Sequence, residues 1–155
     1  MTTQLDQVDQ IMAVMALAFD PAWGEQWSRR QVEDALLIGN CHCLLADGAG
    51  MSPAEGAAVA GFSLSRAGYE EEELLLFAVA PSHRRKGIGS TLLGRFAVAA
   101  RGRGAKRLLL EMRRGNPADA LYSSQGFTPI GMRPNYYRTP SGARIDAITF
   151  ACPIE

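Results

Sequence analysis

The chain has 155 residues, 47% of them apolar, and its 16 lysines and arginines balance its 16 aspartates and glutamates. This length suits a single domain over residues 1–155, and the balanced charge excludes strong long-range attraction to nucleic acid or to an anionic membrane. Because no apolar run approaches about 18 residues and the N-terminus lacks a leader pattern, the sequence also predicts a cytoplasmic protein.

Two amphipathic helices are predicted first. Apolar residues recur at helical spacing over about Leu5–Phe19, and Asp20-Pro21 ends that helix. Ser28, followed three residues later by Gln31, predicts a capping box at the start of the second helix. That helix is expected to stop at Gly39-Asn40, because glycine and asparagine favour helix ends.

The rest of the chain alternates between strands and helices. Leu74–Ala80 is an unbroken apolar run without a 3.6-residue period, which predicts a central strand covered on both faces. The link 47–56 is rich in Gly, Ser and Pro and is expected to be the most mobile loop. The other predicted elements are strands at 41–46, 57–65, 106–112, 128–137 and 147–152, and helices at about 87–101 and 117–125. Together they predict an α/β fold with a mixed sheet.

The three cysteines give no disulfide framework, because their number is odd. Cys41 and Cys43 flank His42 on one predicted strand, but only His83 and Cys152 remain as distant metal ligands. We therefore predict small buried thiols and no metal site. No cysteine is accompanied by a histidine and a third orienting group, so an acyl-cysteine intermediate is not expected.

An acidic run, Glu70–Glu73, precedes the central strand. Four adjacent carboxylates either form a solvated entry to the strand or attract a basic peptide to that side of the molecule. The solvated entry is the preferred interpretation.

The stretch Arg84–Ser90 joins the central strand to the next helix and combines three basic side chains with two glycines. Unpaired first-turn amides and the positive end of the helix dipole favour an anion there, and glycine lets phosphate oxygens approach the backbone. The stretch lacks the Gly-Lys-Ser/Thr of a Walker loop and the third glycine of a dinucleotide fingerprint. The alternative is an ordinary turn with a solvated basic cluster.

Two further residues are singled out, Glu111 as a candidate for proton transfer and Tyr122 as an aromatic residue in a short helix. Glu111 ends an apolar strand, where burial would raise the pKa of its carboxyl group and the nearby Arg113 and Arg114 would lower it. It is either a general base or a strand-end glutamate paired with those arginines. Tyr122 lies in a short predicted helix that ends at Gly126, and is either a packed aromatic residue with a hydrated hydroxyl group or a functional one.

The order Arg84-x-x-Gly87-x-Gly89 after an apolar strand, followed by Leu121-Tyr122 and Gly126-Phe127, resembles the GCN5-related N-acetyltransferase (GNAT) family. The similarity extends over nearly the whole chain and is greatest to the bacterial ribosomal-protein-alanine N-acetyltransferases of the RimI type. The motifs that carry this closer resemblance are Trp27-Ser28, Phe77–Pro81, Leu110–Arg113, Asn135–Tyr137, Asp146-Ala147 and Pro153-Ile154.

The resemblance implies a mostly antiparallel sheet whose central strands splay apart, with acetyl-CoA as the acetyl donor and no metal. It assigns the acetyl and pantetheine part of acetyl-CoA to the backbone of Phe77, Ala78 and Val79. It assigns the pyrophosphate to Arg84, Arg85, Lys86, Gly87, Ile88, Gly89 and Ser90. Asn116 would also contact the coenzyme, but it precedes Tyr122 by six residues where the family has seven, so Gly115 is the alternative at that place.

The resemblance also implies the chemistry. Glu111 would accept the proton of the acceptor amine through water, the amine would attack the thioester directly without an acyl-enzyme, and Tyr122 would protonate the leaving thiolate. An N–H near Val79 would stabilise the oxyanion. The acceptor implied is the N-terminal alanine of a small-subunit ribosomal protein, with no nucleic acid or membrane partner. The alternative acceptors are another N-terminus, a lysine side chain or a small amine. The alternative class of function is a non-catalytic module that binds acyl-CoA.

Overall fold

The computed structural model describes residues 4–23 and 25–154, so both ends of the predicted 1–155 domain lie outside the described residues. Short 3-10 turns at Pro21–Trp23 and Pro81–His83 interrupt the connections before the second and third helices. The helices and strands are α1 (Gln4–Ala18), α2 (Arg29–Leu37), β1 (Cys41–Ala46), β2 (Gly61–Gly68), β3 (Glu71–Val79), α3 (Ile88–Gly102), β4 (Arg107–Arg113), α4 (Asp119–Ser124), β5 (Thr128–Arg138) and β6 (Arg144–Pro153).

The described strands form one sheet in the order β1-β2-β3-β4-β6-β5. Neighbouring strands are antiparallel except for β3 and β4, which run parallel. A parallel pair needs a crossover connection, and α3 provides it. The predicted α/β fold, with a mixed, mostly antiparallel sheet flanked by helices, is therefore confirmed.

The helices cover opposite faces of the sheet, and each face has its own buried core. On one face α1 covers β2 and the end of β3, and α2 packs on β1. The buried residues there are Val8, Ile11, Val14, Met15, Val32, Ala35, Phe62, Leu64, Leu76 and Ala78. On the other face α3 lies across β1, β2 and β3 and, with Tyr122 of α4, packs on β4 and β6. The buried residues there include Leu93, Phe96, Ala100, Leu108, Leu110, Met112 and Phe150. Each of these side chains larger than alanine contributes about 1.5–3 kcal/mol on burial, so both faces stabilise the sheet.

Local sequence signals predict most of the element boundaries. The Ser28 Oγ accepts from the Gln31 N–H at 3.2 Å and the Gln31 Oε1 accepts from the Ser28 N–H at 2.7 Å, which confirms the capping box. β2, however, begins at Gly61 and not at residue 57. The chain is still turning before it, where the Ala57 N–H donates to the Ala54 carbonyl at 2.9 Å.

Arg95 of α3 fastens the link between β1 and β2, which the sequence predicts to be the most mobile loop. Its Nη1 donates to the Leu45 and Gly50 carbonyls, each at 2.9 Å, and its Nη2 donates to the Ser52 Oγ at 3.0 Å. A Cβ on Gly50 would lie 2.8 Å from the Cβ of Thr91, so the link lies against the first turns of α3. The guanidinium group of Arg95 restrains this loop although it lies more than 40 residues away in sequence. The composition of the loop therefore does not reveal the restraint.

The acidic run Glu70–Glu73 is not a free acidic patch. It overlaps the start of β3, and each carboxylate has a basic partner. The pairs are Glu70 with Lys106 at 3.3 Å, Glu71 with Arg107 at 2.9 Å, Glu72 with Arg103 at 2.5 Å and Glu73 with Arg66 at 2.8 Å. The side chains of Glu70, Glu71 and Glu73 are 45, 37 and 34% exposed, so the solvated interpretation fits these three, whereas Glu72 is buried. The basic partners oppose the second interpretation, that the run attracts a basic peptide.

A bulge in β3 separates the central strands. Ser65 of β2 is paired with Leu74 and Leu64 is paired with Leu76, so Leu75 has no partner in the register. The pairing of β3 with β4 also ends here, at Leu74 and Leu110. Beyond this point β3 continues to Val79 and β4 to Arg113 without pairing to each other, which is the splay that the family resemblance implies.

Glu72 forms a buried charge cluster just before the bulge. Its side chain is 0% exposed, and its carboxylate accepts from the Ser65 Oγ at 2.5 Å and from Nε and Nη2 of Arg103 at 2.9 and 2.5 Å. Burial by itself raises the pKa of Glu72, but the hydrogen bonds from Arg103 and Ser65 and the charge of Arg103 outweigh burial. The pKa therefore lies below its ordinary value.

We predict that Glu72→Gln lowers the free energy of unfolding by about 2–4 kcal/mol at pH 7, because it leaves Arg103 without its charge partner. The folded-state pKa is the lower one, so the ionised carboxylate stabilises the fold above the unfolded pKa of about 4.3. That stabilisation disappears as the pH falls through the folded-state pKa. Urea unfolding of the wild type and of Glu72→Gln from pH 7 downward measures the difference between their free energies of unfolding. A difference that stayed constant as the pH fell would contradict the prediction.

Candidate active site

The loop between β3 and α3 leaves a row of backbone N–H groups free. Among the residues that the structure describes, no acceptor bonds the N–H groups of 85–90, and the first bond of α3 runs from the Thr91 N–H to the Gly87 carbonyl at 3.0 Å. Arg85 (φ 62°) and Gly87 (φ 81°) adopt left-handed conformations, which build the N–H concavities that bind anions. Unpaired N–H groups at the start of a helix are what an anion site of the predicted kind requires.

The two glycines of the loop have different structural roles. Gly87 needs its left-handed conformation, and a Cβ there would meet no atom within 4 Å, so its face is open. A Cβ on Gly89 would lie 3.1 Å from the Cδ2 of Leu121. Gly89 therefore lets α3 lie close to α4, the helix that carries Tyr122, in addition to the phosphate approach predicted from the sequence.

Arg84 binds the protein itself. Its Nε donates to the Val79 carbonyl at 3.1 Å and its Nη2 donates to the Ala18 carbonyl at 3.0 Å. Ala18 is the last residue of α1, where the negative end of the helix dipole favours a cation. Arg85 and Lys86 are exposed. The three basic side chains expected to attract an anion thus divide into one that links the loop to α1 and two that face solvent.

A cleft of about 240 Å³ opens where β3 and β4 part. Of the residues predicted to be functional, the cleft brings together Phe77, Glu111, Asn116 and Tyr122. Leu110 and Met112 are buried in the core on the α3 face, so alternation along β4 directs Glu111 to the opposite face. Tyr122 belongs to that α3-face core, so the two candidate proton-transfer residues reach the cleft from opposite faces of the sheet.

The other predicted site residues lie along the β3 edge and the loop beyond it. Ala78 is buried under α1 and α2, so only its backbone is available to a ligand. The Val79 carbonyl accepts from Arg84, and Val79 packs on the core beneath the first turns of α3. The β4-facing edge of residues 75–79 is not paired with another strand in the described part of the chain. This edge leads from the cleft to the free N–H groups of 85–90.

Glu111 has partners that differ from the ones expected. Its Oε1 lies 3.0 Å from the Nε of Arg133 and accepts from the Thr149 Oγ1 at 3.2 Å, and its side chain is 17% exposed. The predicted partners Arg113 and Arg114 pair elsewhere, with Glu25 and Asp146. The expectation of a nearby arginine is correct, but the arginine comes from β5, because β6 aligns β5 beside the end of β4.

Tyr122 is buried between two other aromatic rings. Its ring makes edge contacts with Phe77 and Phe127, with centroids 6.0 and 5.8 Å away. Burial, followed by the negative charge of Glu25, raises the pKa of Tyr122 above its ordinary value. The hydroxyl group therefore stays protonated at neutral pH, as a proton donor must. The residue is both a packed aromatic and a cleft residue, so the two interpretations of the sequence are compatible.

Glu25 is a cleft residue that the sequence analysis did not identify. Its Oε1 lies 3.0 Å from the Nε of Arg113, its Oε2 accepts from the Asn116 Nδ2 at 3.3 Å, and its side chain is 15% exposed. It follows the 3-10 turn at Pro21–Trp23 in a connection with no helical or strand periodicity. No local signal in the sequence distinguishes it from a surface glutamate.

β5 brings two tyrosines to the cleft through a second irregularity. The register with β6 shifts between Arg133 and Tyr137, and Asn135 adopts φ 54°. The Asn135 N–H donates to the Asp146 Oδ1 at 2.9 Å, so Asp146 holds the irregular backbone. Tyr136 and Tyr137 both line the cleft, and burial, with the charges of Glu25 and Glu111, raises the pKa of Tyr137 to about 12.

The described residues contain no group of three or more His, Cys, Asp and Glu side chains arranged to hold a metal ion. Burial raises the pKa of the Cys43 thiol to about 12, which disfavours a nucleophilic thiolate there. No helix among the described residues is long and apolar enough to cross a membrane. The polar side chains that line the cleft are carboxylates, tyrosines, the amide of Asn116 and the indole of Trp27.

Residues 39–129 match the acetyltransferase (GNAT) domain family. The chain is 35% identical over 94 residues to the [ribosomal protein bS18]-alanine N-acetyltransferase of Haemophilus influenzae and 40% identical over 98 residues to that of Escherichia coli. These alignments cover 61% and 63% of the chain and 64% and 66% of the relatives, so the match spans just under two thirds of their length.

A solved structure extends the similarity to the fold. The crystal structure of the ribosomal-protein-S18-alanine N-acetyltransferase from Escherichia coli superposes with a TM-score of 0.81 and 28% identity. The superposition covers 99% of this chain and 90% of that one. The matched family region includes the loop at 84–90 and the residues Glu111, Asn116 and Tyr122.

We predict that Arg84→Gln lowers the free energy of unfolding by about 1–2 kcal/mol, because it removes hydrogen bonds that join the loop to Val79 and Ala18. Arg85→Gln is the matched control: it removes one charge at the next position, and its effect should stay below about 0.5 kcal/mol. Urea unfolding of the three proteins measures the difference. Equal destabilisation by both substitutions would contradict the structural role of Arg84.

Proposed function

Because this chain belongs to the GNAT family of acetyltransferases, we propose that it transfers the acetyl group of acetyl-CoA to the N-terminal amine of a protein. The cleft between the parted strands carries this proposal. Phe77, Glu111 and Tyr122 line it, and β3 runs from it directly to the loop at Arg84–Ser90. We propose that residues 1–155 form one such acetyltransferase domain.

In this proposal, backbone groups of the chain bind the acetyl donor, acetyl-CoA. The N–H groups of Lys86–Ser90 would bind the pyrophosphate, with Arg85 and Lys86 adding attraction, and the edge of Phe77–Val79 would bind the acetyl and pantetheine part. Support comes from the unpaired state of both sets of backbone groups among the described residues, which leaves them available to a ligand. Asn116 is a further proposed contact, and its Nδ2 also donates to Glu25.

Glu111 and Tyr122 would perform the proton transfers. An N-terminal amine has a pKa of about 8 and is largely protonated at neutral pH, so it must lose a proton before it attacks a thioester. We propose that Glu111 accepts this proton through water and that an N–H near Val79 stabilises the oxyanion. Tyr122, which burial keeps protonated, would then donate a proton to the leaving thiolate. The amine attacks directly, without an acyl-enzyme.

The proposed acceptor is the N-terminal alanine of ribosomal protein bS18, which is the substrate in the names of the two curated relatives. The small volume of the cleft and its rim of Trp27, Tyr136 and Tyr137 suit a first residue with a short side chain. The proposal involves a protein partner and no nucleic acid or membrane surface. A ribosomal substrate would also place the enzyme in the cytoplasm.

A non-catalytic module that binds acyl-CoA is a second class of function. Such a module has no need for a carboxylate and a protonated hydroxyl group in one cleft. Glu111 and Tyr122 both line the cleft between β3 and β4, and this favours turnover over simple binding.

Mass spectrometry of peptides incubated with the protein and acetyl-CoA tests the proposal. The peptides begin with Ala, Ser or Met, and a fourth has a blocked N-terminus and an internal lysine. We expect one acetyl group on the peptide that begins with Ala, and little or none on the others. Acetylation of the blocked peptide alone would contradict the N-terminal proposal, and acetylation of none would contradict acetyl transfer to peptides. Omission of the protein provides the control for spontaneous acetylation.

Replacement of Glu111 by Gln distinguishes a general base from an ion-pair partner. We expect kcat/KM to fall about 10²-fold near pH 6.5 and much less near pH 9, because the amine then loses its proton without help. Arg133→Gln breaks the same ion pair but keeps the carboxylate, so it serves as the matched control. A loss in Glu111→Gln that is equal at every pH and is reproduced by Arg133→Gln would show that only the ion pair matters.

A further inference from the structure

The connection between α1 and α2 forms one wall of the cleft. We call residues 19–23 and 25–28 the α1–α2 segment. Phe19, Glu25 and Trp27 of this segment line the cleft with Glu111 and Tyr122. The segment has no regular hydrogen-bonding pattern apart from a 3-10 turn, so side-chain contacts must hold it in place.

Glu25 makes the polar contacts that join this segment to the sheet. It lies 3.0 Å from the Nε of Arg113, and the side chains of this pair are only 15% and 10% exposed. Arg113 is the last residue of β4, two positions after Glu111 on the same face. The Arg113 guanidinium also lies 4.0 Å from the ring centre of Trp23, so it is held between two residues of the segment.

Glu25 also reaches the start of α4. Its Oε2 accepts from the Asn116 Nδ2 at 3.3 Å, while the Asn116 Oδ1 accepts from the Ala118 N–H at 2.9 Å. Asn116 thereby fixes the turn that begins α4, and Tyr122 lies on that helix. One buried carboxylate is consequently bonded both to the strand that carries Glu111 and to the turn that leads to Tyr122.

We propose that Glu25, Arg113 and Asn116 form a clasp that closes the α1–α2 segment against β4 and α4 and so positions the acceptor amine in the cleft. Glu25 is a positioning residue, because it acts through Arg113 and Asn116. Both of its carboxylate oxygens are used in these contacts, whereas no hydrogen bond or ion pair among residues 4–23 and 25–154 joins it to the loop at 84–90. Glu25 reaches the proposed coenzyme side only through Asn116, so we expect its loss to affect the acceptor side more than the binding of acetyl-CoA. This inference rests on the proposed function.

Steady-state kinetics of Glu25→Gln test the effect on the acceptor. Loss of the charge-assisted hydrogen bonds is expected to raise the KM for the acceptor peptide about tenfold, with the KM for acetyl-CoA changed less than about twofold. Arg113→Met should act similarly, and the double variant should be no worse than the more affected single one, because the two residues share one contact. The matched control is Glu33→Gln on α2, whose exposed pair with Arg29 lies outside the cleft.

Tryptophan fluorescence reports on the clasp without reference to activity. The chain has two tryptophans, Trp23 and Trp27, and both belong to the α1–α2 segment. We expect Glu25→Gln and Arg113→Met, at a temperature where both are folded, to give a red-shifted emission and stronger quenching by acrylamide. Glu33→Gln should match the wild type in both measurements.

The kinetics and the fluorescence quenching together distinguish a failure of the clasp proposal from a failure of the proposed function. Unchanged quenching in Glu25→Gln and Arg113→Met would overturn the clasp, and so would increased quenching with an unchanged KM for the acceptor. A similar rise in both KM values would also overturn it, because the effect would then be general. A wild-type protein that acetylates no peptide would contradict the proposed function alone, and the quenching data would still decide whether the clasp exists.

Discussion

The separation of β3 from β4 is the constraint on which the rest of the structure depends. Their parallel pairing ends at Leu74 and Leu110, and the unpaired Leu75 reverses the faces to which later β3 residues point. Phe77 consequently lines the gap from β3 and Glu111 lines it from β4. A continuous sheet would have paired the backbone groups that a ligand can now use, and would have left no passage between its two faces.

The gap leaves the outer pairing of both parted strands intact. β2 stays paired with β3 as far as Val79, and β6 stays paired with β4 as far as Arg113. The buried Glu72–Arg103 pair lies immediately before the gap and joins β3 to the end of α3. Only the inner edges lose partners, so the unpaired polar groups are concentrated in one place where a bound molecule can satisfy them.

Periodicity and local motifs predict the elements, the anion loop and Glu111 as a candidate base, because these signals lie within a few neighbouring residues. The role of Tyr122 comes from the family resemblance. Contacts between distant residues were not predictable in this way. Glu111 was correctly expected to meet an arginine, but Arg133 is its partner because β6 brings β5 there. The bonds of Arg84 to the carbonyls of Val79 and Ala18 have no signal in the local sequence, and Glu25 has no local pattern at all.

The two cleft carboxylates differ in how freely their arginine partners can move, and this difference separates their roles. Arg133, the partner of Glu111, is 61% exposed on the edge strand, and such a pair contributes little stability and rearranges easily. Arg113, the partner of Glu25, is 10% exposed and lies against Trp23, so moving it would leave a charge buried without compensation. Under the proposed function, Glu111 would release its partner and accept a proton, whereas Glu25 would keep its partner and hold the wall of the cleft.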